Sequence, residues 1–222
     1  PRTGREDPAV RFSGMFRVLR RSALPLTISL VGLGAGLGAL SATAAEKKTV
    51  LAGGCFWCVE ADLQKLDGVS EAVSGFSGGT LQNPTYRGNH KGHYEVVEVT
   101  YDDELISYEE LLRYFLRHID PLDAGGQFCD RGFSYKTAVF VAGNEERAIA
   151  EAALAEINQL FPDESVATVV LPLSRFWPGE DYHQEYASKN PLRYKYYRWN
   201  CGRDQRVATL WDDKSWGVIA DS

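Results

Sequence analysis

Methionine occurs once in the 222 residues, at Met15, and cysteine only four times, at Cys55, Cys58, Cys129 and Cys201. Four cysteines, scattered apart from the first pair, exclude a dense disulfide framework. Basic residues are not in excess. The formal net charge is −6, which removes the electrostatic footprint of a nucleic-acid binder and says mainly that the surface is soluble. There are no internal repeats. Asn83-Pro84-Thr85 is not a glycosylation acceptor, because proline occupies the middle position. Long apolar runs are missing except one, Ala23 to Leu40.

That run has the layout of a secretory signal. Arg17, Arg20 and Arg21 precede it, and Ala42-Thr43-Ala44 follows it as an A-x-A cleavage pattern. Residues 15–45 are therefore expected to be a signal peptide, with an uncleaved anchor as the alternative. The first 14 residues are expected to be a mis-called or non-native start. The "GAGLGA" at Gly34–Ala39 follows no strand, so it is no dinucleotide fingerprint. Export leads to a periplasmic or secreted location, where disulfides persist and no stable membrane insertion remains after cleavage. The catalytic domain is expected over 46–205, with a tail at 206–222.

What is present is a globular composition, 44% hydrophobic and rich in aromatics. The pattern predicts a strand at Lys47–Ala52, a helix from Cys55 to about Leu66, and strands at Val69–Phe76 and His93–Tyr101. A capping box, Ser107-x-x-Glu110, opens a second helix that ends at Asp120-Pro121. A strand at Tyr135–Val141 follows. Then come a helix capped by Asn144 and running to about Leu160, and a strand at Val166–Leu173. The order β-α-β-β-α-β opens as a split βαβ (ferredoxin-like) core. The expected fold is an α/β (α+β) two-layer sandwich with a mixed, mainly antiparallel sheet and an irregular aromatic C-terminal wrap.

The chemistry gathers at "GGCFWC". Cys55 follows a strand and a Gly-Gly turn and opens a helix. Unpaired N–H groups and the helix dipole there favour a thiolate, so Cys55 is the better nucleophile and is expected to have a lowered pKa. Cys58 lies one turn further in. A bare CxxC suggests thiol–disulfide exchange, but two large aromatics would crowd a protein-docking surface. Zinc would need a second paired ligand set, which Cys129, Cys201, His90 and His93 do not form, and no metal or cofactor is expected. Haem attachment fails because Val59 follows Cys58. Phe56 and Trp57 read as walls of a small apolar pocket.

Four ordered segments then resemble one family: "GGCFWCVE", "GFSGGTLQNPTYRGNHKGHYEVVEV", "GGQFCDRGFSYKTAVF" and "EDYHQEYASKNP". They are similar to the motifs of the A-type peptide methionine sulfoxide reductases and cover about Val50 to Cys201. The resemblance implies reduction of methionine S-sulfoxide, free or in proteins, which repairs an oxidised side chain. It implies that Cys55 attacks the sulfoxide sulfur and that a buried Glu95 supplies the proton to oxygen. Tyr86 and Tyr135 would donate hydrogen bonds to that oxygen, and Asp130 would help hold the polar network. Phe56 and Trp57 would enclose the ε-methyl group, with His183 and Tyr186 lining the same site. The sulfenic acid left on Cys55 needs a resolving thiol. Cys201 is preferred for this, with Cys58 as its rival, and Cys129 is expected to be a buried thiol beside Asp130, with a relay partner as the alternative. A thioredoxin-like dithiol protein is the implied electron donor, and the enzyme is expected to be a monomer. A CxxC exchange or client-binding protein is the competing reading.

Overall fold

The computed structural model describes residues 46–212 and 214–217. The expected start and signal segments, 1–45, lie outside the described residues. Among the described residues no helix is long and apolar enough to cross a membrane.

The elements run β1 (Glu46–Gly53), α1 (Phe56–Leu63), β2 (Val69–Ser77), β3 (Tyr94–Asp102) and α2 (Tyr108–Arg117). Two short strands follow, β4 (Gly126–Gln127) and β5 (Asp130–Arg131), then a 3-10 turn at Phe133–Tyr135 and β6 (Thr137–Val141). The chain continues with α3 (Asn144–Leu160), β7 (Val169–Pro172) and β8 (Trp177–Pro178), and closes with α4 (Tyr186–Lys189), α5 (Pro191–Asn200) and α6 (Arg203–Trp211).

The main sheet has the order β7-β6-β1-β3-β2-β8. β3 lies between β1 and β2 and is antiparallel to both, and β6 pairs antiparallel with the other edge of β1. This is the expected split βαβ core. β7 pairs parallel with β6, which makes the sheet mixed. The inner ends of β1, β3 and β6 are buried on both faces, so they read as near-continuous apolar runs. On one face Leu51, Val97, Val99 and Val139 join a single cluster with Val59 and Leu63 of α1, Leu112 and Phe115 of α2, and Ala150 and Ile157 of α3. On the other face Val50, Ala52, Val96, Ala138 and Phe140 form a smaller cluster with Tyr94.

Three local expectations differ from the structure. The C-terminal segment is helical, not irregular. Asn190-Pro191 opens α5, with proline at the first helical position where a missing N–H costs nothing. Its tyrosines and tryptophan are weak helix formers, so packing rather than propensity makes this helix. α6 runs across the expected 205/206 division, and Leu210 and Trp211 are buried in the main cluster. Asn144 is the first residue inside α3 and caps nothing; Gly143 holds the N-cap position, and Glu146 reaches back to accept the Ala142 N–H at 2.7 Å. The Ser107 capping box forms as expected: Ser107 Oγ accepts from Glu110 N at 3.2 Å, and Glu110 accepts from Ser107 N at 2.9 Å.

The turn between β1 and α1 fixes the entry to the site. Gly54 has φ +81°, and a Cβ there would lie 2.5 Å from Cβ of Gln127. Gln127 cannot retreat. It is buried, and its amide bridges Asp120 N, Asp120 O and Gly126 O at 2.7–2.9 Å. Gly54→Ala is expected to lose about 1–2 kcal/mol for the left-handed backbone alone, and more for the overlap. Urea unfolding measures it.

Candidate active site

Cys55 occupies the N-cap of α1, at the C-terminal end of the central strand β1. Around it lies a pocket of about 50 Å³, lined by Cys55, Phe56, Trp57, Tyr86, Glu95, Asp130, Tyr135 and Tyr197. Seven of these are residues singled out in the sequence, drawn from α1, β3, β5 and two loops. Tyr197 is the addition.

Glu95 is almost wholly buried on β3, 1% exposed. Its Oε2 accepts the Phe56 N–H at 3.2 Å. Oε1 is buried without a well-formed hydrogen bond, and Tyr135 acts on the carboxyl as a looser neighbour. Burial pushes the Glu95 pKa up to about 8, and the Asp130 charge adds to this. Glu95 is therefore a neutral acid at pH 7, able to give a proton inside the pocket. Its neighbour Glu98 faces outward and pairs with Lys48 at 2.8 Å, as strand alternation requires. Burial also raises the pKa of Tyr86 and of Tyr135, so both hydroxyls remain donors.

The lowered pKa expected for Cys55 is not what the structure holds. Burial pushes this thiol well above its usual value, and the neighbouring Cys58 and Glu95 add to the shift. Cys58 is instead lowered to about 7, by its hydrogen bond with Cys55 and by the Arg203 and Arg198 guanidinium groups. The pair behaves as one titrating unit with its first negative charge on Cys58. The helix N-terminus is outweighed because burial, Cys58 and the Glu95 carboxyl all act against a charge on Cys55, whereas Cys58 accepts a hydrogen bond from Cys55 and faces the two cations.

Those cations come from the C-terminal helices. Arg198 donates to Asp62 at 2.9 Å and to the Tyr194 hydroxyl at 2.9 Å. Arg203, 2% exposed, donates to the Gly53 carbonyl at 3.1 Å and stacks over Phe128 at 4.7 Å.

Cys129 is exposed, and the expectation of a buried thiol there does not hold. It forms a disulfide with Cys201, while Cys55 and Cys58 are free thiols. The grouping of Cys129, Asp130 and Cys201 is thus a disulfide beside a carboxylate rather than a set of thiolate ligands.

The family model for peptide methionine sulfoxide reductase matches residues 47–215. The chain belongs to this family. It is 46% identical over 186 residues to the peptide methionine sulfoxide reductase MsrA 2 of Rhizobium meliloti, covering 82% of this chain and 92% of that one. The MsrA/MsrB protein of Vibrio cholerae is 45% identical over 169 residues, 74% of this chain. The match spans only 45% of that longer protein. Among solved structures, methionine sulfoxide reductase A of Corynebacterium diphtheriae superposes with a TM-score of 0.60 at 31% identity, over 71% of this chain and 81% of that one.

Within the reductase fold, His183 and Tyr186 stand behind the pocket wall rather than on it. Trp57 Nε1 donates to His183 Nδ1 at 3.0 Å, and the Tyr186 ring stacks on Trp57 at 3.7 Å and 7°. His183 is buried, and burial lowers its pKa, so it is a neutral acceptor toward Trp57. It also packs on Phe56 at 4.9 Å and Tyr86 at 4.5 Å. One imidazole thus braces three side chains that line the pocket. Glu180 fixes the Tyr86 backbone by accepting its N–H at 3.1 Å.

Sequence reasoning missed Tyr197, Arg198 and Arg203. Tyr197 donates to Asp130, sits edge-on to Trp57 at 6.0 Å, and acts on Cys55 as a hydrogen-bonding group. The available signal was helical spacing. Tyr194, Tyr197 and Cys201 recur at i, i+3 and i+7, one face of α5, and that face meets α1.

Proposed function

We propose that this chain reduces methionine S-sulfoxide, free and in proteins, by cysteine chemistry at Cys55. The observation that carries this is a buried neutral carboxylic acid, Glu95, facing a buried thiol across an aromatic-walled pocket. A sulfoxide sulfur is poorly electrophilic until its oxygen is protonated or strongly hydrogen-bonded. Glu95 supplies that proton, and Tyr86 and Tyr135 donate to the same oxygen. Phe56 and Trp57 hold the ε-methyl group on the opposite side, which distinguishes the two epimers.

The resting charge on Cys58 lets it accept the Cys55 proton as the sulfur attacks. The new S–S bond and the methionine S–O bond then both break as the protonated oxygen passes to the Cys55 sulfur. The products are methionine and a sulfenic acid on Cys55. The Cys58 sulfur then attacks the sulfenic sulfur, releasing water and forming a Cys55–Cys58 disulfide. Cys58 is preferred over Cys201 as resolver because it is free and hydrogen-bonded to Cys55, whereas Cys201 is bonded to Cys129. An external dithiol protein of the thioredoxin type returns the electrons. The charged n-region, apolar run and A-x-A of residues 15–45 support export of this repair activity to an oxidising compartment.

The test uses racemic methionine sulfoxide with dithiothreitol. Loss of only the S epimer is expected, and retention of both overturns the assignment. Mass mapping after one turnover without reductant is expected to find Cys55 bonded to Cys58. Cys55 bonded to Cys201 overturns the resolver.

A further inference from the structure

The Cys129–Cys201 disulfide takes no part in that sequence, yet it lies beside the pocket. Cys129 directly precedes Asp130, a pocket residue on β5. Cys201 follows α5, four residues and one turn after Tyr197. The same two segments are therefore joined twice: by the disulfide, and by the Tyr197 hydroxyl donating to Asp130 Oδ2. No other hydrogen-bond donor reaches the Asp130 carboxylate among the described residues, since a disulfide sulfur has no proton to give. The loop is also held in an unfavourable shape. Phe128, just before Cys129, has φ +54°, a left-handed conformation rare for a large side chain.

We propose that the Cys129–Cys201 disulfide is a positioning staple for the sulfoxide reduction, tying the Asp130 loop to the end of α5 so that Tyr197 and Asp130 complete the pocket wall. No electron passes through it. Cys129 and Cys201 touch neither substrate nor Cys55 in this role; they act through Tyr197 and Asp130. The inference rests on the proposed reduction at Cys55.

The staple also bears on the acid. The groups facing Glu95 are Phe56 N–H and the two thiols of α1 and its N-cap, Tyr86 from the loop after β2, Tyr135 from the 3-10 turn, and Asp130 from β5. The Asp130 charge favours the protonated acid. Asp130 itself faces Tyr197 and Arg203. Releasing the loop removes a nearby negative charge from Glu95, so its pKa falls and the alkaline limb of the rate moves to lower pH.

The experiment is a single-turnover assay without reductant. It uses full-length protein carrying the Cys129–Cys201 bond and free Cys55 and Cys58, with a peptide containing methionine S-sulfoxide. Cys129→Ser, Cys201→Ser and the double variant are each expected to raise the half-saturating peptide concentration about tenfold, the double no more than either single, because the two residues act as one unit. Each is also expected to shift the alkaline limb to lower pH. Tyr197→Phe, with the staple intact, is expected to show the same rise, and cutting the staple in that background adds nothing. Wild-type half-saturation and an unmoved limb in the cysteine variants overturn the proposal, as does a wild-type value for Tyr197→Phe if the cysteine variants fail to fold. In a separate multiple-turnover assay with a thioredoxin-type dithiol donor, loss of recycling in Cys201→Ser but not in Cys129→Ser also overturns it. If the wild-type protein itself yields no methionine, the function fails rather than the staple.

Discussion

Cys55→Ser is expected to abolish methionine formation, with turnover falling by at least about 10⁴-fold, the scale seen when a nucleophile acting as part of a unit is removed. A serine hydroxyl at this site has no thiolate character to draw on, and burial disfavours an alkoxide further. The fold should survive. Cys55 occupies an N-cap without a side-chain hydrogen bond to the helix, so the substitution removes no cap. The measurement is S-sulfoxide turnover with dithiothreitol, beside a thermal melt. Retained turnover would move the nucleophile to Cys58 and overturn the mechanism.

Glu95→Gln is expected to lower the rate by about 10²–10⁴-fold, the usual contribution of a positioned general acid. The amide keeps the shape and can accept the Phe56 N–H, but it cannot give up a proton. The pH profile carries the sharper test. With its pKa raised to about 8, Glu95 is protonated below that pH and loses its proton above it. Wild-type activity should therefore fall as pH rises through about 8. The Cys58 thiol, lowered to about 7, must lose its proton to serve as base, so activity should rise through about 7. The result is a narrow bell whose limbs belong to the coupled site. In Glu95→Gln the alkaline limb should disappear. A variant with wild-type rate, or with the limb unchanged, would refute the acid role.

Much of this was legible because it is local. The strand, Gly-Gly turn and helix that present Cys55 are written within a dozen residues, and each reports its own conformation. Alternation in β3 separates Glu95 from Glu98. The capping box of α2 names both its partners, Ser107 and Glu110. The family motifs then identified Tyr86, Asp130 and Tyr135 as companions of Cys55 and Glu95, and the pocket holds all of them.

The C-terminal region was less legible, because its aromatic residues neither favour a helix by propensity nor mark one face by polarity. Burial on one side and exposure on the other decide it. Tyr194 is 8% exposed, whereas Tyr196 and Trp199 are 67% and 64% exposed. His183 and Tyr186 were recognised but given too direct a role. Only packing reveals that they hold Trp57 from behind.

The sequence by itself determined the split βαβ order and the family, and it singled out Cys55 and Glu95 as the residues proposed for nucleophile and acid. Those depend on residue type and short spacing. Tertiary structure alone decided which cysteine carries the resting charge and which are bonded to each other. Cys58 is acidified first by its hydrogen bond with Cys55, whose geometry the folded helix sets, and then by Arg203 and Arg198, more than a hundred residues away in sequence. Cys129 and Cys201 are joined across 72 residues. A pKa and a disulfide both depend on distances between distant segments, and spacing along the chain carries no information about those until the chain has folded.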